Sequence, residues 1–198
     1  MNNLEIEYDI KSYTDNKSVA LMCPQCYELV GTIKQKITTE IFLDKNGRAK
    51  FYGHNINFQI DGYCDYCDEY IEEFLTIDAD IAASISLLNK KGWKTNFCCS
   101  GHENSVDAYI YFRNNKYLKY IATIPKGWKV DVNDYTKLNS FIIRSKYGKY
   151  DPTELYEWAK ILYTLPDISK MRCTDRDLIE NLLNLGKDQL YFNDEETK

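Results

Sequence analysis

Leu4, Ile6, Tyr8 and Ile10 alternate with Glu5, Glu7 and Asp9, a period of two that predicts a half-buried strand. A polar stretch, residues 11–18, separates it from the apolar run Val19 to Met22. Residues 30–43 are rich in Ile, Thr and Val. Asp44-Lys45-Asn46-Gly47 follows, and Asn-Gly supplies the positive φ angles of a tight hairpin. Alternation resumes from Ala49 to Ile60, so this part of the chain reads as a run of short antiparallel strands.

Further along, the period changes. Ile81, Ile85 and Leu88 form one helical stripe between Asp78, a predicted N-cap, and Gly92, a predicted stop. A strand starting at Trp93 runs into Cys98-Cys99-Ser100-Gly101-His102, and another follows from Val106 to Phe112. Residues 128–132 and Ile142-Ile143 are further strand positions. Asp151-Pro152-Thr153-Glu154 combines an N-cap, Pro at the first helical position and a capping-box acid. Leu155, Trp158, Ala159 and Leu162 give that helix an apolar face. A last helix is expected after Thr174, through Leu178, Leu182 and Leu185 to Gly186. The expectation is an α+β protein: an antiparallel β-rich region at 1–75 packed on a mixed α/β domain at 76–190, with an acidic tail at 191–198.

The chain has 198 residues, 44% apolar and 28% charged, enough for one generous domain or two small ones. No apolar run approaches the roughly 20 residues of a spanning helix, so no membrane role is expected. The opening MNNLEIEYDI lacks the apolar core of a signal peptide, which places the expected location in the cytoplasm. Cysteines there stay reduced, and closely spaced pairs then point to metal.

Charge is unevenly spread. The net charge of −5 argues against broad adhesion to nucleic acid or anionic lipid. Residues 61–89 carry eight acids, among them Asp61, Asp65, Asp68, Glu69, Glu72 and Glu73, and no base. Residues 113–149 sum to +7. Such runs serve either as solvated faces or as a local site for a charged ligand or partner.

Cys23-Pro24-Gln25-Cys26 and Cys64-Asp65-Tyr66-Cys67 are two Cys-x-x-Cys pairs. Their spacing lets both sulfurs of a pair point inward from one turn, and four thiolates suit one tetrahedral Zn2+ with no open position, a structural rather than catalytic use. The alternatives are independent buried pairs, redox pairs, or His54 replacing one sulfur. The two pairs, each at a strand end with Gly62 placed for a sharp turn, resemble the zinc ribbon family over residues 19–75. The 37 residues between the pairs exceed the usual linker and imply an extra hairpin or extended strands. The acidic second pair argues against nucleic acid as a partner and favours a protein contact.

The loop Cys99, Ser100, Gly101 and His102 has the makings of an anion-binding nest, with hydroxyl and imidazole donors and a glycine that admits a ligand. Lys126, Lys129 and Arg144 from the basic segment are the expected cationic partners of that loop. Alternatives are a second metal site at Cys99 and His102, a Cys–His nucleophilic pair, or a plain structural turn. Residues 93–101, WKTNFCCSG, resemble the Ser-x-Cys-Ser-Gly-Arg loop of the wybutosine-synthesising tRNA methyltransferase family, with His102 where that family has Arg. The resemblance implies a loop and pocket at Ser100 and Gly101. A ribbon followed by residues 88–102, LNKKGWKTNFCCSGH, is similar to short uncharacterised proteins of bacteriophages and prophages of low-GC bacteria, which implies a host-cell cytoplasmic setting. The expected function is a zinc-stabilised, non-enzymatic binding protein that captures an anionic, nucleotide-like small molecule. A module that docks its acidic ribbon onto a host protein, or a nucleotide- or RNA-modifying enzyme, is the alternative.

Overall fold

The computed structural model describes residues 9–43, 49–55, 60–101, 107–113, 121, 123–131, 141–146, 148–165 and 190–191. Two long strands, β1 (Asp9–Met22) and β2 (Leu29–Leu43), form one hairpin, in register from Asp9↔Leu43 to Leu21↔Gly31. Residues 11–18, expected to break the strand, lie inside β1. The ladder with β2 sets their conformation, and a backbone ladder needs no alternation of apolar side chains. β3 (Ala49–Asn55) pairs antiparallel with the far side of β2, as the hairpin expected around Asn46-Gly47 requires, although residues 44–48 themselves lie outside the described residues.

β4 (Gly62–Cys64) and β5 (Glu69–Ile71) form a separate small hairpin. β6 (Leu75–Asp78) then joins the free side of β1, giving the order β3-β2-β1-β6. Helix α1 (Ala79–Lys90) leads into a second sheet built from β7 (Thr95–Cys99), β8 (Ala108–Phe112), β9 (Lys129–Asp131), β10 (Phe141–Ser145) and, after α2 (Pro152–Thr164), β11 (Leu190–Tyr191). Its order is β11-β9-β10-β8-β7, antiparallel except where β11 runs parallel to β9. The α+β class is as expected. The helix anticipated at 174–186 and residues 192–198 of the acidic tail lie outside the described residues, while Tyr191 belongs to β11.

The main core combines both sheets and both helices. Ala20, Met22 and Ile77 of the first sheet meet Ile110, Phe112, Val130, Phe141 and Ile143 of the second, and the stripes Ile81-Ile85-Leu88 and Leu155-Trp158-Leu162 cover them. Phe112 stacks on Phe141 with ring centroids 4.5 Å apart. Each helix ends for a local reason. α1 stops at Gly92, φ 94°, where Gly92 N–H reaches Asn89 O and Trp93 N–H reaches Leu88 O, the double closure that a left-handed glycine permits. α2 starts at Asp151, whose carboxylate accepts from Thr153 N–H at 2.8 Å ahead of Pro152 at the first turn. Asp151→Ala is expected to cost about 1 kcal/mol, read by urea unfolding, because that N–H loses its partner.

Candidate metal centre

Cys23 directly follows β1, and Pro24 to Glu28 form the turn into β2. The second pair spans the β4–β5 turn, and Phe74 N–H to Ile60 O, 2.8 Å, closes the loop that carries it. The pairing Met22↔Leu75 then lays the strand that leaves the second pair beside the strand that enters the first. Two pairs distant in sequence become spatial neighbours in this way, and the length of the linker is taken up by the outward and return strands β2 and β3.

The two turns have one geometry. Tyr27 N–H bonds Cys23 O and Asp68 N–H bonds Cys64 O, both at 2.9 Å. The residue after each second cysteine is left-handed, Tyr27 at φ 61° and Asp68 at φ 60°. Neither is glycine, so tertiary contacts hold them. Tyr27 O accepts from Ser86 Oγ at 2.6 Å, and its ring lies under the Lys94 ammonium, 3.6 Å away. Lys90 pairs with Glu28 at 2.6 Å, so α1 buttresses the whole first turn. Asp68 accepts from the Tyr63 hydroxyl.

All four sulfurs lie within 4.8 Å of one another. Cys23 to Cys67 and Cys26 to Cys64 are each 3.7 Å apart. A tetrahedron with metal–sulfur bonds of about 2.3 Å has edges of about 3.8 Å, whereas a disulfide needs about 2.05 Å. The cysteines are free thiols spaced for an ion. Burial raises the Cys64 thiol, but the amides of Cys67 and Tyr66 aimed at its sulfur outweigh this and bring it down to about 7. Burial and the sulfurs around it push Cys67 up to about 12, and burial raises Cys26 as well. A cation is what lets four crowded thiols ionise together. These sulfurs, with Leu21, Ile71 and Phe74, form a small core apart from the main one. The side chain of His54 lies outside the described residues.

The loop at Ser100 is built differently from the expected nest. Ser100, 5% exposed, donates its N–H at 2.7 Å and its hydroxyl at 2.9 Å to one oxygen of Asp78. Its carbonyl accepts from the Tyr150 hydroxyl at 3.1 Å, and Gly101 N–H points to the Cys99 sulfur. The donors counted on for an anion therefore serve a carboxylate of the protein itself. Asp78 keeps its place at the head of α1, but its side chain makes no cap bond there. Arg144 donates to Asp131, and Lys126 stands 3.9 Å from Glu154. Register places Cys99, Tyr109, Arg144 and Lys129 in one row across β7, β8, β10 and β9. His102 lies outside the described residues. Cys98, raised to about 12 by burial and by Asp78, is a thiol and a poor nucleophile. The sequence carried no signal for Asp78–Ser100 or Arg144–Asp131, because each pair joins separate elements.

Comparison of the chain with protein-family models, with curated proteins and with solved structures finds no match. The phage and methyltransferase resemblances gain no support from it. The knuckle resemblance rests on the four clustered sulfurs. No helix among the described residues is long and apolar enough to cross a membrane.

Proposed function

We propose that this chain is a zinc-stabilised, non-enzymatic docking protein that recognises a basic partner protein through its second knuckle. One observation carries the reading. Tyr63, Tyr66 and Tyr70 are 55%, 65% and 60% exposed on the same short hairpin as Asp61, Asp65, Asp68 and Glu69, in a segment with no base. Rigid aromatic rings among acids supply cation–π faces and charge for lysine and arginine. Tyr63 and Tyr70 are held in place by their hydroxyls on Asp68 and Asp61, so little ordering entropy is lost on binding. Zinc is the metal of choice for four thiolates with no open position, and it would fix the hairpin that displays these rings, as in a zinc ribbon.

The test is affinity capture from the source cell with the wild-type chain and with Tyr66→Ala/Glu69→Lys. Both positions are exposed, so the melting temperature is expected to stay within about 2 °C while partner recovery falls at least tenfold. Equal recovery by the two proteins rejects the reading.

A second reading, capture of an anionic small molecule, draws support from the row that runs from Cys99 through Tyr109 to Arg144 and Lys129. It ranks lower because Asp78 and Asp131 already occupy the Ser100 donors and the Arg144 guanidinium.

A further inference from the structure

β6 ends the first sheet, β7 ends the second, and α1 joins them. Between the two strands lies a cleft of about 490 Å³, within the range of small-molecule sites, roughly 300 to 1,000 Å³. One end is closed where Asp78 holds the N–H and hydroxyl of Ser100. Met22, Leu75, Ile77 and Phe97 give the cleft apolar walls. Leu75 is 41% and Phe97 66% exposed, so this apolar surface is open to a ligand.

Two groups of opposite charge stand at the other end. Glu73 lies two residues before β6, whose first residue, Leu75, pairs with Met22 just ahead of the first knuckle. Arg113 follows β8, and its N–H bonds the carbonyl of Lys94, one residue before β7. Lys94 in turn sits over the ring of Tyr27 in that same knuckle, so both strands start at one end of the cleft. The Glu73 and Arg113 side chains line it there. Arg113 donates its Nε–H to Asn96 Oδ1 at 2.5 Å, which steadies the guanidinium and leaves its terminal nitrogens for a ligand. Among the described residues no carboxylate pairs with Arg113 and no cation with Glu73.

This arrangement selects by charge. A simple anion would meet Glu73 and Asp78 as well as Arg113, and a simple amine would leave the guanidinium unused. A molecule with both an ammonium and a carboxylate satisfies each wall, and guanidinium and carboxylate match as a two-bond fork. From Leu75 to Asp78 the cleft runs three strand steps, about 10 Å, which leaves room for an apolar body below the charged head. We infer that the cleft between β6 and β7 binds a small zwitterion with an apolar body, an α-amino acid or dipeptide, its carboxylate on Arg113 and its ammonium on Glu73. The site shares no residue with the hairpin from Asp61 to Tyr70, so this inference and the docking reading stand or fall separately.

The probes are phenylalanine and the dipeptide leucyl-phenylalanine, each beside an N-acetyl copy and a C-terminal amide copy. They are titrated into the full chain, purified in the presence of zinc, by calorimetry and amide NMR. At least one free zwitterion is expected to bind and to shift the amides of residues 75–78 and 95–99, and which one binds identifies the source. Its capped copies should bind about tenfold more weakly, each having lost one charge-assisted contact. Glu73→Gln should weaken the free compound about tenfold and leave the N-acetyl copy as it was, and Arg113→Gln should do the same with the amide. Both positions are exposed, so the melting temperature is expected to stay within about 2 °C. Capped copies that bind as tightly as the free compound overturn the inference, as does insensitivity to both substitutions. So does the absence of shifts at residues 75–78 and 95–99 with either zwitterion at millimolar concentration.

Discussion

Stripping the metal proposed for the four-thiol site, with a chelator strong enough to compete with four thiolates, is expected to release the second knuckle while the main core survives. The cluster of Leu21, Cys23, Cys64, Ile71 and Phe74 is too small to offset the entropy of ordering β4, β5 and both turns. Metal binding contributes on the order of 10 kcal/mol in sites of this kind. The larger core, with Ile81, Phe112, Phe141, Ile143 and Leu155, contains no sulfur ligand. Hydrogen exchange should show protection lost at residues 60–74 and kept in α1, β8 and β10, with Cys64→Ser behaving alike. Acid should act as the chelator does. Cys67 lies near 12 and Cys26 is raised in the metal-free site, so the ion must displace their protons. Affinity then falls about tenfold per pH unit for each proton displaced as pH drops, and release begins on the acid side of neutrality. Unchanged exchange at residues 60–74 after exhaustive chelation would remove the metal from the account.

Asp78→Ala is expected to destabilise the chain by about 3 kcal/mol, because it strands the buried N–H and hydroxyl of Ser100 and breaks the tie between β6 and β7. At this chain length that is a fall of about 10 °C in melting temperature. Ser100→Ala, which removes only the hydroxyl, should cost about a third as much. The same variant separates the uses of the loop. Inorganic phosphate is expected to leave the wild-type melting temperature unchanged and to raise that of Asp78→Ala, where the donors stand open. A rise in the wild type, abolished by His102→Ala with Lys126→Ala, would instead favour capture of a small anion.

The parts legible in the sequence are those governed by local rules. The stripe Leu155-Trp158-Ala159-Leu162 with Asp151-Pro152 before it, and the stop at Gly92, each follow from residues within a turn or two. The four-cysteine cluster was legible because thiol pairs in a reduced chain have few other uses, and the long linker was matched by the outward arm of β2 and β3. What the sequence hid is tertiary. Residues 11–18 carry no strand pattern and are strand because β2 lies beside them. Ser100 and Arg144 read as open donors until folding brought Asp78 and Asp131 to them. Gly62, expected to allow a sharp turn, has φ 159°, while the left-handed residues that follow the second cysteine of each knuckle are Tyr27 and Asp68, which side-chain contacts hold in place.

The placement of the sulfurs also dictates a timetable. Cys23 and Cys26 sit at the tip of the β1–β2 hairpin, and their counterparts arrive only after the chain has travelled out and come home, 37 residues later. An ion held by all four sulfurs would thus be a clasp that closes only after β2 and β3 have been made. Until such an ion binds, a growing chain would carry its first two thiols without their counterparts.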